Sequence, residues 1–527
     1  MSPRREIELK LELPPHTLLR LTRSTLLKGA TTARGKPATQ VSIYFDTNKQ
    51  KLRKNGLSLR VRRIGRRYVQ TIKQESGESA ALLARNEWES PVRSRMPDLD
   101  AARETALASL LSKKVRRGLK PVFETRVRRT VYPIHSDGAE IDLTIDRGKV
   151  AAGAQSSPLC EVELELKRGD PAELFKLARA VADQIPVQLA VTSKAERGYA
   201  LVAAEAPKPV KAAPVALTAD LNRQAAFQAL ARACLHQLVG NVPAMRCGDP
   251  EGLHQTRVAL RRLRAAVSLF GDVLAGPQTE AGKAEFKWIM GELGPARELD
   301  VFIRRVVKPV VDGKPNGAGV RVLTRELQEK RDDAFGRAVA AIDSPRFRAL
   351  VLDTAGWIET GDWTHDSDDL ARTMREQPIA PTAISQLRSR WKKILKRGAR
   401  LAKLDPQRRH KLRIDAKKLR YASEFFAGLF PGKKAARRRQ QFVAALEQLQ
   451  DALGDLNDIA VHEKLTEGIV EAPHQRRRGG RTRKAFAAGR LSGREEARIA
   501  SVLKDAERAY QVFAEAKPFW PNQATKI

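Results

Sequence analysis

The sequence predicts an α+β chain in two folded parts, an antiparallel strand-rich part followed by an all-helical part. Three observations predict it. Before residue 205 the apolar residues recur mainly with period two, as in strands with one wet face. After residue 217 the period changes to 3.6, as in amphipathic helices. Between them lies Glu-Ala-Pro-Lys-Pro-Val-Lys-Ala-Ala-Pro-Val-Ala at 205–216, a Pro/Ala/Lys stretch without periodicity that reads as a semi-stiff linker. The divisions are therefore 1–203, a linker 204–217, and 218–515. A chain of 527 residues has room for about two to four domains of roughly 150 residues.

The strands follow in order. Glu6-Ile-Glu8-Leu-Lys10 opens the chain, and Val41–Phe45, Leu57–Arg63, Tyr68–Lys73, Asn86–Pro91, Phe123–Tyr132, Ala139–Asp146 and Cys160–Leu166 follow it. About eight strands at this spacing suit a barrel or a sandwich. Helical patterns fall near 15–28, 98–112 and 171–185. In the second part, breaks at Gly276-Pro277, Pro309–Gly319 and Pro431-Gly432 punctuate long helices, and Pro473–Lys484 reads as an Arg-rich loop. That part also repeats itself. His254, Arg257, Arg261 and Arg264 recur 156 residues later as His410, Arg413, Lys417 and Arg420. Leu293-Gly294 recurs 160 residues later as Leu453-Gly454, so two similar helical bundles are expected.

Composition narrows the partners. Lys plus Arg is 97 against 61 Asp plus Glu, a formal charge of +36. Such a field captures polyanions: nucleic acid, polyphosphate, nucleotides or an anionic membrane surface. With 5% aromatic residues there are few platforms for stacking bases, so nucleic acid is not expected as a specific partner. No run of about 18 uninterrupted apolar residues is present, so no membrane span is expected. Cys160, Cys234 and Cys247 form no C-x-x-C pair, and the charged start lacks an apolar leader core; a cytoplasmic chain is the expectation.

In the strands, alternation puts charges on one face. Glu6, Glu8 and Lys10 share a face, as do Glu161, Glu163 and Glu165, Asp142, Thr144 and Asp146, Arg60 and Arg62, and Glu87 and Glu89; Lys73 ends its strand. Such rows serve equally as the wet outside of a sheet or as a polar lumen, and periodicity does not choose between them. If they face inward, carboxylates can hold a hard divalent cation while Arg and Lys grip phosphate oxygens.

The ordered set Glu6-x-Glu8-x-Lys10, Leu59-Arg60-Val61-Arg62, Thr71-Ile72-Lys73, Asp146, Glu161-x-Glu163 and Ser193-Lys194 resembles the CYTH, or triphosphate tunnel metalloenzyme, superfamily over residues 1 to about 203. The resemblance implies an eight-stranded antiparallel tunnel that hydrolyses inorganic triphosphate with Mg²⁺ or Mn²⁺. It implies Glu6, Glu8, Asp146, Glu161 and Glu163 as metal ligands, and Glu6, Glu8, Lys10 and Lys73 as catalytic groups. Arg60, Arg62, Arg129 and Lys194 would hold phosphate, and Glu87 matches an acidic position. Arg129 is the choice by alignment, but Arg126 and Arg128 share the opposite face, and strand parity leaves the three open. The second part, with His254-x-x-Arg257, Arg297-x-Leu299-Asp300, His410-x-x-Arg413, Lys417-Lys418-x-Arg420-Tyr421 and Leu456-Asn457-Asp458, resembles the CHAD domain, a duplicated four-helix-bundle fold. That implies polyphosphate binding by His254, Arg257, Arg261, Arg264, His410, Arg413, Lys417 and Arg420. Two other readings share these residues: a polyphosphate-binding protein without catalysis, and an adenylate cyclase of the CYTH type. Substrate preference, the metal, the oligomeric state and any coupling between the parts are not encoded in these patterns.

Overall fold

The computed structural model describes residues 4–30, 37–74, 84–313, 318–365, 368–471 and 478–521. Nine strands form its sheet: β1 (Arg4–Glu12), β2 (Ala38–Asp46), β3 (Leu57–Ile64), β4 (Arg67–Gln74), β5 (Ala84–Val92), β6 (Lys120–Ser136), β7 (Ala139–Ala152), β8 (Gln155–Arg168) and the short β9 (Gln188–Leu189). Their order is β5-β4-β3-β2-β6-β7-β8-β1-β9, and β1 also pairs with β5. That last pairing closes eight strands into an antiparallel barrel, so its strands have no open edge. The expected strands are present and longer, and β9 is an addition on the outside of β1.

The apolar halves of the alternation face outward. Leu9, Leu11, Ile141, Leu143, Val162 and Leu164 are buried under a helix we call α1 (Ala172–Gln184), while Leu57, Leu59, Val61, Ile72 and Trp88 form a separate core. Covered on the outside by this packing, the barrel turns its charged face to the lumen. The helix expected near 98–112 is instead two 3₁₀ turns, Ala101–Glu104 and Ala108–Leu110, followed by a short helix Lys113–Gly118. The Thr105 hydroxyl donates to the carbonyl of Ala102 and ends the first turn.

One end of the barrel is filled by α2 (Lys194–Ala203), which begins with a capping box between Ser193 and Glu196. It seats deeply because of Gly198: a Cβ there would lie 2.1 Å from the Phe123 ring. Tyr199, beside it, donates its hydroxyl to Asp46 Oδ2 at 2.8 Å.

The linker carries no helix or strand but is not loose. Val210 exchanges hydrogen bonds with the side chain of Asn241, and Leu217 is buried. Beyond it come α3 (Arg223–Gly240), α4 (Pro250–Leu269), α5 (Gly294–Phe302), α6 (Pro345–Thr360), α7 (Pro406–Phe425), α8 (Lys433–Glu471) and α9 (Arg478–Glu515). The repeat is visible in the backbone. Helices α4 and α7 start with Pro after an Asp cap and end 156 residues apart, at Leu269 and Phe425. Pro473 and residues 474–477 of the expected loop lie outside the described residues, and from Arg478 the backbone is helical. Past residue 515, Phe519 and Trp520 still pack, against Phe442. Helix α6 packs on α1, and Arg179 bridges to Asp353 at 3.0 Å, so the two parts share an interface.

Candidate functional site

Strand register lines up the lumen. Across one wall, Glu12, Glu161, Asp146 and Arg129 are successive neighbours, and Lys10 stands opposite Glu163. Across the other, Glu89, Thr71, Arg60 and Tyr44 are neighbours, with Lys73 opposite Glu87.

The first wall and the capping helix meet at Lys194. Its ammonium lies 2.8 Å from Asp146, 2.9 Å from Glu161 and 2.6 Å from Glu163. Arg129 donates to both oxygens of Asp146, at 2.8 and 2.6 Å, and to Glu163 at 2.6 Å. Lys10 bridges Glu8 at 3.0 Å and Glu163 at 3.2 Å. Burial alone would raise Glu163, but Lys10, Lys194 and Arg129 outweigh it and hold the carboxyl well below its usual range. Burial likewise opposes the charge on Lys194, yet Glu163, Asp146 and Glu161 push it well above the usual lysine range. The parity question at β6 is resolved by geometry: Arg129 points inward, while Arg126 and Arg128 are exposed outside.

The second wall is more positive. Arg60 pairs with Glu87 at 3.5 Å and Lys73 with the same carboxylate at 3.0 Å. Among the described residues Arg62 makes no ion pair, and its buried Nε has no hydrogen-bond partner. Burial, then repulsion from Arg60 and Arg129, pushes it down to about 10. Tyr44, not singled out in the sequence, faces this wall: burial would raise its hydroxyl, but Arg60 and Lys194 bring it below the usual value. Its stacking on Phe123, 4.5 Å between centroids, fixes the ring.

Of the expected metal ligands, Glu8, Asp146, Glu161 and Glu163 converge here, and the side chain of Glu6 lies outside the described residues. Among the described residues no group of three His, Cys, Asp or Glu is arranged to hold a metal ion. The carboxylates turn to Lys194, Lys10 and Arg129 instead. The donor set nonetheless fits a hard divalent cation: it is all oxygen, and among the described residues Glu8 Oε1 and both Glu161 oxygens are buried without hydrogen bonds, engaged by the ammonium groups of Lys10 and Lys194.

The helical part holds a second charged site, a cleft of about 520 Å³ lined by His254, Arg257, Arg261, Arg413, Lys417 and Arg420, with Arg297 and Arg304 that the repeat did not single out as binding groups. His254 falls to about 4 through burial and the neighbouring Arg297. Lys417 falls to about 7 through burial and Arg413 and Arg261. Arg257 falls to about 10 through burial and Arg261. The repeat also places paired glycines beside these arginines: Gly294 stands beside Arg257 and Gly454 beside Arg413. Two expected residues stand elsewhere. Arg264 is exposed and outside the cleft lining, about 15 Å along the helix from His254. His410 is exposed and holds Asn457 at 2.6 Å.

Residues 4–199 match the CYTH domain model and residues 229–467 match the CHAD domain model. The inorganic triphosphatase of Haemophilus influenzae is 27% identical over 201 residues, which is 37% of this chain and 54% of that protein. The match thus spans about half the length of that relative. Among solved structures, the CHAD domain from the plant Ricinus communis is 29% identical over 58% of this chain and 96% of that one, with a TM-score of 0.49. A Hippeastrum protein described as an adenylyl cyclase with dominant triphosphatase activity is 21% identical over 37% of this chain and 95% of that one, with a TM-score of 0.27. No helix of the described residues is long and apolar enough to cross a membrane.

Proposed function

We infer that this chain, a CYTH domain followed by a CHAD domain, hydrolyses inorganic triphosphate in its barrel with a divalent cation and binds polyphosphate in its helical cleft. The observation that carries the first half is Arg62. A cation held between Arg60 and Arg129 without an ion pair among the described residues calls for an anion beside it. A linear triphosphate supplies that anion, and the H. influenzae relative supports this choice.

The site works by division of the lumen. Arg60, Arg62 and Lys73 grip phosphate oxygens, Arg62 without first breaking an ion pair. Glu8, Asp146, Glu161 and Glu163 would hold a divalent cation, Mg²⁺ or Mn²⁺. When bound, such a cation neutralises charge on the phosphate oxygens and lowers the barrier to attack. Lys194 and Arg129 keep Asp146 and Glu163 ionised and oriented. Glu161, ion-paired with Lys194 at Oε2 but without a hydrogen bond at Oε1 among the described residues, can accept one from a water and aim it at the terminal phosphorus. The water oxygen bonds to that phosphorus as the bridging P–O bond breaks and its proton passes to Glu161, which returns it to the products, giving orthophosphate and pyrophosphate. Lys10 and Lys73 balance charge as it spreads onto the leaving oxygen.

The cleft supports the second half. Its cations repel one another, and a flexible polyanion relieves several of these repulsions together. Phosphate release from inorganic triphosphate, ATP and long-chain polyphosphate, with Mg²⁺, Mn²⁺ or EDTA, tests the reading. Metal-dependent release from triphosphate that is lost in Arg62→Ala is expected. Undiminished release in that variant would overturn the role given to Arg62.

A further inference from the structure

Where the barrel meets the helical part lies a cavity of about 440 Å³ that neither site uses. Its polar lining is Glu12, Gln188, Arg197, Arg246, Asp343 and Arg348. Three guanidinium groups face two carboxylates, so the lining is net positive. Arg197 comes from the capping helix α2, one turn after Lys194. It pairs with Glu12, and its Nε stands 3.5 Å from Glu161 Oε1 without making a hydrogen bond. Arg246 and Arg348 come from the helical part. Arg246 pairs with Asp343 and donates to Gln188 at 3.0 Å. Arg348 donates to the backbone carbonyl of Asp343, not to a carboxylate. Burial, opposed by Asp343 and aided by Arg246, lowers Arg348, which therefore gains from an anion.

We propose that this cavity is a third phosphate site, taking orthophosphate or pyrophosphate on Arg197, Arg246 and Arg348, and that its occupancy is felt in the barrel through Arg197 and Glu161. Planar guanidinium forks from three directions suit the oxygens of a phosphate better than a single carboxylate. An anion here draws Arg197 toward the cavity and away from Glu161, which leaves that carboxylate freer for a cation. The products of the proposed reaction are then also its modulators. The binding claim stands by itself; the coupling claim rests on the proposed hydrolysis.

The binding test uses the full chain carrying Arg62→Ala, Lys73→Ala, Arg257→Ala and Arg413→Ala, which weakens barrel and cleft. Orthophosphate and pyrophosphate are titrated separately by calorimetry. One anion per chain is expected, and whichever binds more tightly is the ligand. Adding Arg246→Ala and Arg348→Ala should weaken that binding at least tenfold. No binding before those two changes, or binding unaltered by them, overturns the site. For coupling, Arg246→Ala/Arg348→Ala alone should leave basal triphosphate turnover unchanged and abolish its response to added orthophosphate. A response that persists overturns the link. If triphosphate is not turned over at all, the calorimetry still decides the site.

Discussion

Barrel and cleft are both lined with basic side chains, yet those cations are balanced differently. In the barrel, Lys194 and Arg129 sit among carboxylates and are held more firmly charged than usual. In the cleft, Arg257, Arg413 and Lys417 face one another and are all held less firmly charged. A lumen with both signs can take a cation and an anion together, as metal-assisted phosphate chemistry requires. The cleft is mixed too, but its eight Arg and Lys outnumber the four carboxylates Glu298, Asp451, Asp455 and Asp458, so its balance asks for an anion. The difference separates a candidate reaction site from a candidate binding site.

The largest effect should come from unbalancing the barrel. Glu163→Gln removes the carboxylate that joins Lys10, Lys194 and Arg129. Triphosphate turnover should fall by about 10²–10³-fold, the scale for losing one key electrostatic group. Unfolding should also become easier, because Lys10, Lys194 and Arg129 each lose one carboxylate partner while keeping Glu8, Glu161 or Asp146; a denaturant titration reads it. Next is the cleft. Arg257→Ala/Arg413→Ala should weaken long-chain polyphosphate at least tenfold in a binding titration and leave triphosphate turnover unchanged. A loss of turnover would erase the contrast.

A pH series sharpens it further. Lys417, with Arg413, Arg261, Arg420 and Asp458 around it, is charged below about 7 and neutral above. Polyanion binding favours the charged form, so affinity should rise as pH falls through 7, and Lys417→Ala should flatten that rise. Stability runs the other way for this group. Its folded value is below the unfolded one, so its unfavourable charge burdens the fold at low pH and the burden lifts as pH rises above 7. In the barrel the lowered Asp146 and Glu163 stabilise the fold above the ordinary carboxylate range, and that contribution is lost as pH falls through their depressed values. The smallest effect is Tyr199→Phe, which removes one hydrogen bond to Asp46. It should cost on the order of 1 kcal/mol in thermal unfolding and little in turnover.

Much of this was legible in the residues. Alternation located the strands, and an offset of 156 located the paired helices α4 and α7. What alternation leaves open is which face is inside, because Arg60 and Arg62 alternate with Leu59 and Val61 identically in either case. Packing decides it: helix α1 covers the aliphatic face and leaves the charges the lumen. Arg126, Arg128 and Arg129 illustrate the same gap, since a long strand offers both parities and the partner Asp146 on β7 selects one. Spacing grouped Arg264 with His254, Arg257 and Arg261. It did not reveal where the cleft stops, near Arg262, which bridges to Glu424 at 2.7 Å and covers Phe425. Arg297, placed in a motif but not among the binding residues, enters the cleft from α5.

The most direct test is Mg²⁺-dependent phosphate release from inorganic triphosphate, measured side by side for the unsubstituted chain, Glu163→Gln and Arg257→Ala/Arg413→Ala. The account predicts release that EDTA abolishes, a collapse in Glu163→Gln and no change in the cleft variant. Release that survives Glu163→Gln, or that disappears with the cleft arginines, would contradict it.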